Sequence, residues 1–210
     1  MKEYEVWLIR HAKTWENANH VMIGHTDPPL SNEGIEDARK LAERLRNQPV
    51  SQLFSSPLKR AHSTAEQLAS IHHPPLSMVV SPLLRELNLG DMDGVSSFTA
   101  YEKWRTVMDQ ALDQTLGDFA FPNGEWRSAA IRRWEQFLLQ YVMKSDYDAP
   151  VWVVTHGALI GLWLAKSHNI PLGAYRRFQP YHGSLTKVRV SFQHETIRNV
   201  EMLKSIDLIT

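Results

Sequence analysis

A chain of 210 residues with 43% hydrophobic and 22% charged side chains has the composition of one globular domain, large enough for a sizeable core. Its 23 lysines and arginines balance 23 aspartates and glutamates, which excludes the global basic surface that sequence-independent nucleic-acid binding draws on. With no cysteine, disulfides, thiolate nucleophiles and cysteine-ligated zinc are excluded as well.

The N-terminus reads Met-Lys-Glu-Tyr-Glu, with no apolar stretch of the kind a secretory signal needs. Val6–Ile9 is a short apolar run, predicted to be a strand buried on both faces. Ile35, Ala38, Leu41, Ala42 and Leu45 recur at helical spacing, with Ser31 placed to cap that helix. Ser51–Ser56 predicts a second strand. Ser56-Pro57 then resembles an N-cap followed by proline at the first helical position, opening a helix to about Leu68. Leu76–Val80 is a third strand candidate. Between Leu87 and Trp126, Gly90, Gly94, Gly117, Pro122 and Gly124 break the pattern around one helical stretch, Phe98–Leu112. This segment, about 87–126, is expected to be a lid or insertion. Its Phe98, Tyr101, Trp104, Phe119 and Phe121 are expected to fill a small subsidiary core.

Ala130 to Val142 predicts an amphipathic helix, and Pro150–Thr155 the clearest buried strand, followed by a helix from Gly157 to Lys166. The apolar window Val151–Ala165 is too short to span a membrane and carries His156 at its middle. A cytoplasmic protein with neither a nucleic-acid nor a membrane partner is expected. Thr186–Phe192 and Arg198–Leu203 suggest a closing pair of strands. Strands alternating with helices predict a single α/β domain over 1–210, its sheet covered on both faces.

Charged residues gather at the strand-to-helix junctions: Arg10 and His11 after the first strand, Arg60 inside the helix after the second, His156 after the Pro150–Thr155 strand. In open α/β sheets ligands bind at the carboxyl ends of strands. Two arginines and two histidines at one sheet edge outline a phosphate site, since the guanidinium fork matches phosphate oxygens. The backbone N–H groups of Gly157 and Ala158, at a helix start, are expected to add donors for an anion. A transfer reaction also needs a nucleophile and a proton donor. Histidine is the natural nucleophile where cysteine and a Gly-x-Ser-x-Gly elbow are missing, and Glu86 can supply the acid.

The blocks "LIRHAKTWEN", "GHTDPPLSNEG", "SSPLKRAHSTA", "LRELNLGDMDG" and "VVTHGALIG" resemble, in order and spacing, those of the histidine phosphatase superfamily, the phosphoglycerate-mutase-like fold. They run from Ile9 to Gly161. The resemblance implies a three-layer α/β/α sandwich with a mostly parallel sheet. It also implies a phosphoryl-transfer enzyme that forms phosphohistidine on His11 and needs neither metal nor cofactor. By the same resemblance Arg10, Arg60 and His156 hold the phosphoryl oxygens and Asn17 adds a hydrogen bond. Glu86 protonates the leaving oxygen, and Ile23 and Gly24 line the entrance. The substrate implied is a small phosphate monoester. The region after Glu86 lacks the long basic and tyrosine-rich insertion of the mutases. It is similar instead to the bacterial broad-specificity and α-ribazole phosphatases. A mutase and a catalytically weak phospho-ligand-binding regulator stand as the alternatives.

Three residues depart from the family pattern, one of them Trp126, which follows Gly124-Glu125 where the family has a serine hydroxyl near the lid. Ala12 replaces a glycine, which is mild only where φ is negative. Lys13 replaces a glutamate, and is expected either to favour a more anionic substrate or to alter the titration of His11. The eight histidines other than His11 and His156 are expected to be surface or packing residues. Asp91 and Asp93 are expected to serve turns rather than a metal.

Overall fold

The computed structural model describes residues 1–206. Strands β1 (Lys2–Arg10), β2 (Gln52–Ser55), β3 (Met78–Val80), β4 (Val151–Thr155), β5 (Leu185–Gln193) and β6 (Thr196–Ile206) form one sheet in the order β3-β2-β4-β1-β5-β6. Strands β1 to β4 pair in parallel, and β5 and β6 extend the sheet antiparallel from β1. The helices are α1 (Trp15–Ala18), α2 (Asn32–Leu45), α3 (Lys59–Ser70), α4 (Ser97–Lys103), α5 (Arg105–Leu112), α6 (Arg127–Phe137) and α7 (Gly157–Ser167).

Alternation along the central strands builds the three layers. Val6, Leu8, Val151 and Val153 face one way, into a core with Trp134 and Phe137 of α6 and Leu159 and Trp163 of α7. Trp7, Ile9, Trp152 and Val154 face the other, against Leu41 and Leu45 of α2 and Ala61 and Leu68 of α3. Trp7 and Trp152 stack with ring centroids 5.5 Å apart. Strands covered on both faces read as continuous apolar runs, which is why β1 and β4 stand out in the sequence.

Several boundaries differ from expectation. β1 begins at Lys2, four residues early, because its first half pairs only with β5 and carries the polar Glu3 and Glu5. The helical stretch expected over Phe98–Leu112 breaks at Trp104 into α4 and α5. α6 gives way at Leu138 to a π-helical turn through Val142. The segment 87–126 holds α4 and α5 around a separate apolar cluster with Met92, Met108, Phe119 and Phe121, joined by Tyr101 and Trp104. Phe98 is outside that cluster, 74% exposed. Among the described residues no helix is long and apolar enough to cross a membrane.

Candidate active site

Sheet register assembles the centre of the site. Parallel pairing sets Arg10 against Thr155 and Ser55 against Val154. The residue after each strand end therefore leaves the sheet beside the others. The amide of His11 donates to Thr155 O at 3.0 Å, and that of Ser56 to Val154 O at 3.0 Å. The rings of His11 and His156 lie 5.1 Å apart, and both side chains are buried.

Hydrogen bonds fix which nitrogen of each ring carries the proton. His11 Nδ1 lies 2.7 Å from Ala12 O, which can only accept, so Nδ1 holds the hydrogen and Nε2 the lone pair. His156 Nε2 lies 2.7 Å from Ser56 Oγ, and that oxygen already receives the Leu58 amide at 3.3 Å. A Ser56 hydroxyl hydrogen directed at Nε2 leaves Nδ1 as the protonated nitrogen of neutral His156, the form taken here. Both imidazoles are neutral. Burial, then the charges of Arg60, His156, His182 and Arg10, push His11 well below the ordinary histidine value. Burial and the nearby arginines do the same to His156.

Two guanidinium groups flank the pair. Arg10 donates Nη1 to Pro180 O at 2.7 Å and Nη2 to His182 Nε2 at 2.8 Å. Burial lowers Arg10 to about 10, partly opposed by Glu86, so it keeps its charge at neutral pH. Arg60, near the start of α3 and fully buried, donates Nη2 to Gly24 O at 2.7 Å and Nη1 to Thr26 O at 2.9 Å. Thr64 ties the next turn of α3 to the residue after His11: its hydroxyl donates to Arg60 O and accepts the amide of Ala12. Among the buried side-chain nitrogens that have no hydrogen-bond partner in the described residues, three belong to this site: Arg10 Nε, Arg60 Nε and His156 Nδ1. Buried donors are almost always satisfied. These three lie on residues that act on His11, and they are donors of the kind that phosphoryl oxygens accept from.

Glu86 lies at the start of α7. Its Oε2 accepts the Ala158 amide at 3.0 Å, and its Oε1 accepts the amides of Leu159 at 3.0 Å and Leu87 at 2.8 Å. For Ala158 this corrects the expectation of a free anion donor: its amide is taken by an internal carboxylate. Gly157 has a different part in the site. A Cβ there would lie 2.7 Å from Arg10 Cζ, so only glycine lets the guanidinium pass the end of α7. Behind Glu86, Arg133 donates to the carbonyls of Leu83, Arg85 and Glu86 and pairs with Glu125 at 2.8 Å.

Other expected residues are placed differently. Ser56 does not cap α3; the Lys59 amide at that helix start donates to Asp27 Oδ1 at 2.6 Å. Asn17 Oδ1 is engaged in a capping box with Thr14 at the start of α1. Ile23 is half-buried beside Gly24, whose carbonyl holds Arg60. Ala12 does not have a positive φ and packs with Leu30 and Ala38, so its methyl is accommodated. Lys13 pairs with Glu33 at 2.6 Å, and its charge acts on His182. Two of the histidines expected to be peripheral touch the site. The ring of His182 is 5.3 Å from that of His11, and His25 Nε2 lies 3.0 Å from Glu86 O. Sequence spacing gives no hint of either. Asp91 accepts from Asn123 Nδ2, and no group of three or more His, Asp or Glu among the described residues is arranged to hold a metal.

Comparison with known proteins agrees on the family. The model of the histidine phosphatase superfamily (branch 1) matches residues 6–202. A protein of Yersinia pestis (strain Pestoides F) named "Probable phosphoglycerate mutase GpmB" is 34% identical over 187 residues, covering 88% of this chain and 84% of the relative. A mycobacterial glucosyl-3-phosphoglycerate phosphatase, solved in complex with VO3, superposes with a TM-score of 0.83 at 25% identity, over 96% of this chain and 98% of that one. The α-ribazole phosphatase of Shigella flexneri shares the fold, with a TM-score of 0.78 at 23% identity over 97% and 96% of the two chains.

Proposed function

The chain belongs to the histidine phosphatase superfamily (branch 1), and from that premise we propose that it is a metal-independent phosphomonoesterase working through phospho-His11. The observation that carries this reading is the set of unpartnered donors, Arg10 Nε, Arg60 Nε and His156 Nδ1, on residues that neighbour the buried His11. His11 Nε2 attacks phosphorus as the ester P–O bond breaks. The arginines and His156 Nδ1–H neutralise the charge spread over the three transferred oxygens. Glu86 gives the leaving oxygen its proton. Its Oε2 accepts a single amide whereas Oε1 accepts two, which makes Oε2 the oxygen with room for that proton. Water then attacks phosphorus, Glu86 takes the proton of the water, and the P–N bond breaks to release phosphate and His11. Segment 87–126, with its own apolar cluster, acts as the lid that reads the alcohol portion of the substrate.

A small phosphate monoester fits this arrangement, as do the activities named for the mycobacterial and Shigella proteins. Quenching the enzyme during turnover of a labelled monoester should trap an acid-labile, base-stable adduct that is missing from His11→Ala. Full activity in His11→Ala would overturn the reading. A mutase is the second reading, favoured by the name of the Yersinia relative. It requires activation by a bisphosphate and slow hydrolysis of artificial monoesters, so both assays on one preparation separate the two.

A further inference from the structure

We propose that Asp93 is a positioning residue for the phosphate clamp, holding the loop whose carbonyls orient Arg60. The inference rests on the reading of Arg60 as a phosphate ligand.

The charge of Asp93 acts on Arg60, and its hydrogen bonds reach that side chain through backbone. Its Oδ1 accepts the Gly24 amide at 2.8 Å, and its Oδ2 accepts the amides of His25 at 2.7 Å and Thr26 at 2.8 Å. Three successive N–H groups thus converge on one carboxylate. The carbonyls of the same loop point the other way, those of Gly24 and Thr26 receiving both terminal nitrogens of Arg60. One peptide group makes the link explicit. The carbonyl of Gly24 and the amide of His25 are two ends of one planar trans unit. Arg60 donates to one end at 2.7 Å and Asp93 accepts from the other at 2.7 Å. A cation and an anion polarise that unit in the same sense, so each bond strengthens the other. The loop has no helix or strand of its own to fix these carbonyls, since residues 23–26 carry neither.

The consequence is a connection between two parts of the molecule. Asp93 lies in segment 87–126, whose apolar cluster is separate from the two cores that cover the sheet. Backbone bonds join that segment to the loop, Met22 N to Val95 O at 2.9 Å and Gly94 N to Met22 O at 2.8 Å. The direction in which Arg60 Nε faces is therefore held from the lid side. Displacement of that segment would turn the Gly24 and Thr26 carbonyls and loosen the clamp.

The test is a double-mutant cycle on inorganic phosphate, measured as its competitive inhibition constant, with kcat and KM for p-nitrophenyl phosphate alongside. In Asp93→Asn the shape is kept, but an NH2 replaces one acceptor and faces an amide hydrogen. The inhibition constant and KM are expected to rise about tenfold, the size of one lost buried hydrogen bond to a charged group. In an Arg60→Ala background the same change should cost almost nothing. Asp93→Glu retains both acceptors and should bind phosphate better than Asp93→Asn. A space-filling role predicts the reverse order, because asparagine is the isostere. Unchanged phosphate affinity in Asp93→Asn, or an equal cost with and without Arg60, would overturn the proposal while leaving Arg60 as a ligand. Unchanged affinity in Arg60→Ala alone would remove the ligand reading and this inference with it. If Asp93→Asn does not fold, the order of Asp93→Glu and Asp93→Ser in the same assay decides, with Glu expected the tighter binder and Ser the tighter one on the space-filling view.

Discussion

Gly157→Ala should reduce catalysis without reducing stability, and the structure sets the size of the effect. The added Cβ would stand 2.7 Å from Arg10 Cζ, 2.8 Å from Arg10 Nε and 2.8 Å from Gln179 Nε2. Ordinary carbon contacts are about 3.5 Å or more, so the guanidinium must retreat by roughly 0.8 Å. It is not free to swing aside, being tied to Pro180 O and His182 Nε2. The methyl also arrives on the Nε side, where the one unpartnered donor of Arg10 lies. Misplacement of a binding group by about 1 Å typically costs about 10²-fold, or about 2.7 kcal/mol in the barrier. Gly157 is the first residue of α7, so alanine there gains only part of the roughly 1 kcal/mol it has over glycine in a helix interior, which offsets the displacement of the guanidinium. The expected result is kcat/KM down about 10²-fold on a monoester with a melting temperature close to wild type. Gly161→Ala is the control: its Cβ would meet Tyr175 O at 2.6 Å, within the α7 packing, and should lower the melting temperature while sparing the activity of the folded fraction. Wild-type kcat/KM within threefold in Gly157→Ala would refute the reasoning.

Two further outcomes follow from the histidines. Ser56→Ala removes the hydroxyl that selects the Nδ1–H form of His156. Loss of one buried hydrogen bond, about 1–3 kcal/mol, places the fall in kcat/KM at roughly 10–100-fold, read from steady-state kinetics, and a fall below threefold would count against the tautomer assignment. Stability should also decline as pH is lowered. His11 and His156 are held well below the ordinary value, and burial with Arg10 and Lys13 pushes His182 down to about 3. A base whose folded pKa is lowered binds its proton only after the unfolded chain has bound one. Stability is thus full above about pH 6.5 and falls below it, down to about pH 3 for His182, by about 1.4 kcal/mol per pH unit for each such histidine. Chemical denaturation at several pH values checks this, and His182→Asn should make the slope shallower by one histidine's share; an unchanged slope would refute the assignment.

The parts of the fold that the sequence reveals are those where burial imposes a pattern. β1 and β4 are covered on both faces and read as unbroken apolar runs; α2 declares one face by its 3.6-residue period. His11, Arg60, Glu86 and His156 could be placed because each follows or closely trails a recognisable strand. The partners of those residues were hidden, because they are backbone or distant in the chain. Glu86 is held by amides 72 and 73 positions away, and Arg60 by two loop carbonyls. Ser56 carries a helix-cap signature yet serves a histidine 100 positions on. His182 approaches from a turn before β5 that has no periodicity to mark it. At Gly157 the sequence points to the N–H, and the geometry adds a reason for the missing side chain, the approach of Arg10.

The strand register has a consequence for how the centre moves. The amide of His11 continues the ladder between the two innermost strands, bonded to Thr155 O, so its exchange with deuterium requires opening the middle of the sheet. The amides of Gly24, His25 and Thr26 are held by a single side chain and can exchange by local opening. Hydrogen exchange should therefore divide the centre in two: a slow half that carries the nucleophile, and a fast half that aims the charge. On the proposed mechanism, the first would keep attack geometry constant across substrates, and the second would let the grip on phosphate adjust as they enter and leave.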